Sequence, residues 1–257
     1  MTSGKRATEQ RRAAGRRRPP PRKVQAAAAR KRRWGWVGGA VVVAGAAVGL
    51  GLGLSGSSPA PTHLKLASLA TVGHLAPPPS ADPLGPEGVP IPKAPPLATT
   101  ASDAAGQGVD GISCDTSEQV VFHVHTHLTI FVDGAARQVP YGIGIAVPRT
   151  VQQTPQGPFV ASGSCFYWLH THADDGIIHI ESPVQRTYTL GDFFAVWGQQ
   201  LGPDRVGPAK GKVTAFYDGK VYLGNPADIP IGDHVQVQLD VGRPLVAPEL
   251  INFPSGL

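Results

Sequence analysis

Residues 120–132 read VVFHVHTHLTIFV. Val120, Phe122, Val124, Leu128, Ile130 and Val132 share one face, with Thr126 among them. Val121, His123, His125, His127 and Phe131 share the other, with Thr129. Alternation of period two over this length predicts a β-strand with one apolar face and one face bearing imidazoles. Asp133-Gly134 follows, a two-residue hairpin signal.

Downstream, 166–172 and 176–181 read as two further strands, with Ala173-Asp174-Asp175-Gly176 as the turn between them. Thr189 suits a helix N-cap and Asp192 its first turn. Phe193, Phe194 and Trp197 then form the buried stripe, and Gly198 or Gly202 ends the helix. Residues 213–217 and 220–223 flank Asp218-Gly219 as a second hairpin, and 234–241 (HVQVQLDV) is a last alternating strand. Strands, one helix, then strands predict an α+β, mostly β domain over 112–248. The expected architecture is a small antiparallel sheet or sandwich with one short helix and a β-grasp-like C-terminal half.

Only part of the 257 residues suits such a core. Gly 32 and Pro 26 together exceed a fifth of the chain, while aromatics are 7% and charged residues 16%. That excludes a uniformly globular enzyme and a coiled coil. The net charge of +5 comes from one end: residues 1–33 hold 13 of the 23 Lys+Arg and a single acid, Glu9. The remainder is mildly acidic. Residues 34–54, WGWVGGAVVVAGAAVGLGLGL, contain no charge. As a helix they would span about 30 Å of hydrocarbon. Trp34 and Trp36 suit the interface, and the basic tail sets the N-terminus inside.

These features predict a single-pass cell-membrane protein. Its cytoplasmic tail 1–33 would be disordered and would touch anionic lipid, and its C-terminal domain would be extracytoplasmic. A cleaved signal peptide ending near Ser58-Pro59-Ala60 is the rival. Nucleic acid is not expected as a partner, since the tail has no aromatic and is tethered to a membrane. Residues 55–111, with eleven prolines, read as an extracytoplasmic linker, and 249–257 as a C-terminal tail. His63 and His74 receive no role. The sequence names no protein partner.

Outside the membrane, the cysteine pair Cys114 and Cys165 reads as a disulfide. Six of the nine histidines fall in three groups with period two: His123, His125 and His127; His170 and His172; His179, followed by Glu181. Each group projects its rings from one strand face. Imidazole is a general ligand for transition metals. Residues i and i+2 on a strand are about 6.6 Å apart and i and i+4 about 13 Å. His123 and His127 therefore cannot share an ion without a bulge. The expected pairing places the His170/His172 strand beside the His125/His127 strand, with His179 as a further ligand. Glu181 would be a ligand, an orienting partner of an imidazole or, in an enzyme, a general base. Phe166 and Trp168 would wall the site, and Asp174 and Asp175 read as turn residues.

The expected cofactor is a transition metal ion, copper or zinc, held for sequestration or delivery. Two other classes stay open. One is a metal-dependent hydrolase or oxidase with an open coordination position. The other is a structural or interaction module whose histidines titrate. His170-Thr-His172-Ala-Asp174-Asp175 approaches the HxHxDH pattern of metallo-β-lactamase-like hydrolases but ends in Asp175. A cupin would need a Glu three or four residues after His172. No P-loop, dinucleotide fingerprint or Ser/His/Asp order is present.

The blocks HVHTHLTIFVDG, CFYWLHTHADDGIIHIESP and TLGDFFAVWG resemble an uncharacterised family of prokaryotic extracytoplasmic His-rich proteins, which share an HxHxHL strand and a YWLHTHxxxGIIHIE block. The resemblance covers about Cys114 to Gly198. It implies an extracytoplasmic setting and brings no activity with it.

Overall fold

The computed structural model describes residues 64–80, 83–100 and 108–257. The basic tail 1–33 and the apolar run 34–54 lie outside the described residues, as do 55–63, 81–82 and 101–107 of the proline-rich stretch. Among the described residues no helix is long and apolar enough to cross a membrane.

The alternating stretch forms the long central strand β1 (Phe122–Val132). Asp133 and Gly134 both take positive φ, 50° and 77°, as a tight two-residue hairpin requires. They turn the chain into β2 (Ala135–Arg137), antiparallel to β1. The strand expected over 166–172 is broken. Phe166–Tyr167 pairs with Cys114–Asp115, and the chain resumes after Trp168 as β3 (Leu169–His170). β4 (Ile177–Ser182) follows, fully buried.

The helix α1 (Leu190–Trp197) begins at Thr189 with a reciprocal capping box to Asp192 and stops at Gly198, which takes the left-handed conformation at φ 71°. Phe193, Phe194 and Trp197 are buried on its inner stripe. Asp218 and Gly219, again both at positive φ, join β5 (Val213–Tyr217) to β6 (Lys220–Tyr222). β7 (Val235–Val241) closes the sheet.

The sheet order is Leu66–Ala67, β6, β5, β7, β1, β4, β3, with β2 also on β1. It is mixed rather than antiparallel as expected, because β7 runs parallel to β1, from Val235 opposite Thr126 to Val241 opposite Val132. Parallel neighbours need a crossover. Here everything between the two strands supplies it, with α1 laid across one face. Leu128, Ile130, Ile178, Ile180, Val237 and Leu239 send their side chains into one core with the aromatic stripe of α1.

The opposite face carries the odd-numbered residues of β1; parts of the proline-rich stretch and of the C-terminal segment 247–252 line it, while Leu97 joins the core on the α1 side. The linker reading of 55–111 therefore fails for its described part. Val89 is 1% and Leu97 7% exposed. Leu66–Ala67 adds a strand to β6. Leu97 N donates to Gln138 O at 2.9 Å, and the Trp197 indole donates to Thr99 O at 3.0 Å. Proline suits such a strap because it brings no N–H that must find a partner.

The residues after 248 are not a loose tail either. Gln236 pins both the N–H and the carbonyl of Ile251, at 2.8 and 3.0 Å. Leu257 O accepts from His234 at 2.8 Å.

Cys114 and Cys165 are disulfide-bonded across 51 residues. Closing a loop of that length removes about 4 kcal/mol of unfolded-chain entropy. We expect the double replacement Cys114→Ala/Cys165→Ala to lower stability by roughly 2–4 kcal/mol in urea unfolding of the full chain. An unchanged midpoint would contradict this.

Candidate metal centre

The register of three adjacent strands builds the site. His125 on β1 lies opposite His179 on β4, and His179 lies opposite His170 on β3. Adjacent strands are about 4.8 Å apart, so three imidazoles stand in a row across the covered face. Two residues along, His123 lies opposite Glu181 and starts a second row. The expected neighbour relation is thus corrected: β4 separates the His125 strand from the His170 strand, and His179 is the centre of the cluster.

His172 follows β3 and is held from another direction. Its Nδ1 donates to Val160 O at 2.5 Å, and Phe159 stacks on its ring at 4.9 Å between centroids.

The nitrogens face one another. His123 Nε2 and His125 Nε2 are 3.1 Å apart, His125 Nε2 and His179 Nδ1 3.2 Å, and His170 Nε2 and His172 Nε2 3.1 Å. Two nitrogens bound to one ion at 2.0–2.1 Å sit about 3.3 Å apart in a tetrahedron. The observed separations are therefore close to those of ligand pairs.

Carboxylates surround the rings. Glu181 Oε1 is 3.1 Å from His123 Nε2 and 3.4 Å from His179 Nδ1. Glu87 Oε1, from the proline-rich strap, is 2.7 Å from His179 Nε2, and Glu118 Oε1 is 3.6 Å from His172 Nε2. Glu87 Oε2, Glu181 Oε2 and Asp175 Oδ2 are buried. Burial and the neighbouring Glu87 carboxylate, which shares a hydrogen bond with Asp175, push Asp175 well above the usual carboxylate range. The oxygen beside the rings left without a partner among the described residues is therefore that of Glu181. Leaving it unpaired is costly, and a cation offsets that cost.

Burial pushes His125 down to about 3, aided by the charges of His179 and His123. Burial also pushes His170 well below its usual range and lowers His172. These rings are neutral, ligating bases at physiological pH. Burial opposes charge on His179 too, but its hydrogen bonds to Glu181 and Glu87 prevail and raise it to about 9. The central ring is therefore a cation between two carboxylates when nothing else supplies positive charge.

The structure brings together His123, His125, His170, His172, His179 and Glu181. His127 stands apart. Its Nε2 lies 3.1 Å from Asp175 O, and burial lowers it to about 4. Gly176, at φ 82°, lets the turn come this close: a Cβ there would sit 2.4 Å from Leu128 O. Asp175 Oδ1 accepts from Ile177 N, as a turn residue does, whereas Asp174 accepts from Tyr141 N, 33 residues away in the chain, and the buried Asp175 also pairs with Glu87. Phe166 does wall the site, 5.7 Å from His170 between centroids. Trp168 instead donates to Asp115. Glu87 and Glu118 had not been anticipated. Glu118 lies five residues before His123, a proximity that could have flagged it. Glu87 sits alone among prolines with no such signal.

Compared with known proteins, the chain matches no family model, no curated protein and no solved structure. What defines it is the site: sheet-borne imidazoles and carboxylates that could hold a metal ion.

Proposed function

We propose that this protein binds a transition metal, copper or zinc, at the histidine cluster and stores it or hands it on from a membrane-anchored, extracytoplasmic domain. One observation carries the metal reading. A carbonyl oxygen cannot donate, so His170 Nδ1 donates to Tyr167 O at 2.9 Å and His172 Nδ1 donates to Val160 O. Both neutral rings then present bare Nε2 lone pairs to each other at 3.1 Å. That contact is repulsive unless a cation sits between them, and burial disfavours a proton there. Imidazole nitrogen suits zinc, copper, iron and nickel alike; the Irving–Williams order favours copper among them, and four-coordination favours zinc.

The anchored topology rests on the basic tail and the apolar run, and the extracytoplasmic setting also on the family resemblance and the disulfide. Handing metal on is supported by exposure at the rim, where the side chains of His123 and Glu118 are each 38% exposed. The β-grasp-like reading rests on the order β4, β1, β7, β5 with a parallel central pair. It would then describe the whole sheet, not only its C-terminal half.

A metal-dependent hydrolase or oxidase is the second reading. Glu181, with one free buried oxygen beside two imidazoles, is placed to be its base. The cavity near the sheet, of about 410 Å³, is lined by Leu84, His127, Asp175 and Gln238. It therefore lies beside the cluster rather than at Trp168.

The test is metal analysis of the full-length chain, purified without a histidine tag and reconstituted with Zn(II) or Cu(II). At least one tightly held equivalent is expected, and less than about half an equivalent would end the proposal.

A further inference from the structure

We propose that the cluster is a two-ion centre, with His123 and His125 chelating one metal ion, His170 and His172 the other, and His179 shared between them. The inference rests on the metal-binding reading and adds the number and arrangement of ions.

The imidazole donor atoms fall into two groups. Two nitrogens on one ion are at most about 4.2 Å apart. The five rings fall into two sets of three, not one set of five: His123, His125 and His179, and His170, His172 and His179, with the ligand atoms of each set within 4.8 Å of one another. Each set contains its own facing Nε2 pair at 3.1 Å. His179 belongs to both.

An imidazole can serve two ions because its nitrogens flank one carbon and their lone pairs diverge. His179 Nδ1 already faces His125 Nε2 at 3.2 Å. A ring nitrogen has one lone pair, so the second ion takes Nε2, on the side where Glu87 lies 2.7 Å away. Glu87 lies beside Nε2 and Glu181 beside Nδ1, but Glu181 is also grouped with His170 and Glu118, so it borders both sets. Glu181 has a buried oxygen without a hydrogen-bond partner among the described residues. Five imidazoles and these carboxylates are more donors than one four-coordinate ion can use, and they suit two. Loading both ions requires His179 to give up its ring N–H protons to solvent as the metal–nitrogen bonds form.

The test loads the full chain with Zn(II) and, separately, Cu(II), and counts metal per chain. Two equivalents are expected. His123→Ala/His125→Ala and His170→Ala/His172→Ala should each retain one, with near-ultraviolet circular dichroism reporting the fold. One equivalent in the unmodified chain overturns the two-ion centre and leaves metal binding standing, while none ends both. Should a double variant fail to fold, the unmodified chain still decides. With two Cu(II) bound, a shared imidazole couples the spins, so the integrated electron paramagnetic resonance intensity falls well below two spins per chain. Substituting Zn(II) for one of the ions should restore one full spin. Two independent spins would overturn the sharing of His179.

Discussion

His179→Ala in the full chain should weaken Zn(II) binding by at least about 100-fold, whereas His127→Gln should leave it within about threefold of the unmodified protein. Structural zinc sites with four ligands have apparent binding free energies of about 10–16 kcal/mol. One ligand therefore accounts for roughly 2.5–4 kcal/mol, a factor of about 100–1000. His179 sits at the upper end because it faces His125, Glu181 and Glu87 at once. Removing it also leaves two buried carboxylates without the ring that separates them. His127 belongs to the same HxHxH run but reaches only Asp175 O, and a glutamine amide can replace that hydrogen bond. Competition titration against a chromophoric chelator measures both variants. Equal losses would mean that the division of the histidines into cluster and bystander is wrong.

The contrast also marks what the sequence could reveal. Period two placed His123, His125 and His127 on one face, and the 13 Å reach argument separated His123 from His127. It could not say which of the two would be left out. That depended on Gly176 bringing the turn against Leu128 O, a contact between segments that no local pattern encodes. Local signals otherwise served well. The Asp-Gly turns, the Thr189/Asp192 cap and the Phe193/Phe194/Trp197 stripe are dictated by neighbours in the chain.

Strand order was not legible in the same way. The parallel pairing of β7 with β1 joins segments about a hundred residues apart, and alternation alone is the same for either direction. The position of β4 between β1 and β3 likewise comes from register. It makes His179, which has one histidine neighbour on each side, the hub.

The largest misreading concerned the proline-rich segment, and it leads to the other large expected effect. A chain deleted for residues 64–100 should lose at least about 3 kcal/mol of stability and at least about tenfold in Zn(II) affinity. Burial of Val89 and Leu97 contributes roughly 1.5–3 kcal/mol each, against a total of about 5–15 kcal/mol for a domain. In a domain of this size the loss corresponds to about 6–12 °C in Tm.

The affinity loss has a separate cause. Glu87, with its side chain 5% exposed, lies 2.7 Å from His179 Nε2, on the side where the second ion is proposed, and the groups that support a metal site from beside its ligands typically contribute 10–100-fold. The point variant Glu87→Gln distinguishes the two effects, since it should lower affinity while keeping Val89 and Leu97 buried. Its Tm in chelator should therefore fall by less than that of the deletion and report only the altered pairs of Glu87 with His179 and Asp175. Thermal unfolding with EDTA and metal competition without it read them independently. If the deletion left both unchanged, the strap would be the passive linker its composition suggests. If it lowers both, composition misled for a physical reason: a segment with few apolar residues still belongs to a domain when one of those few, Leu97, joins the core beneath α1 and one carboxylate, Glu87, reaches a buried imidazole on the other face.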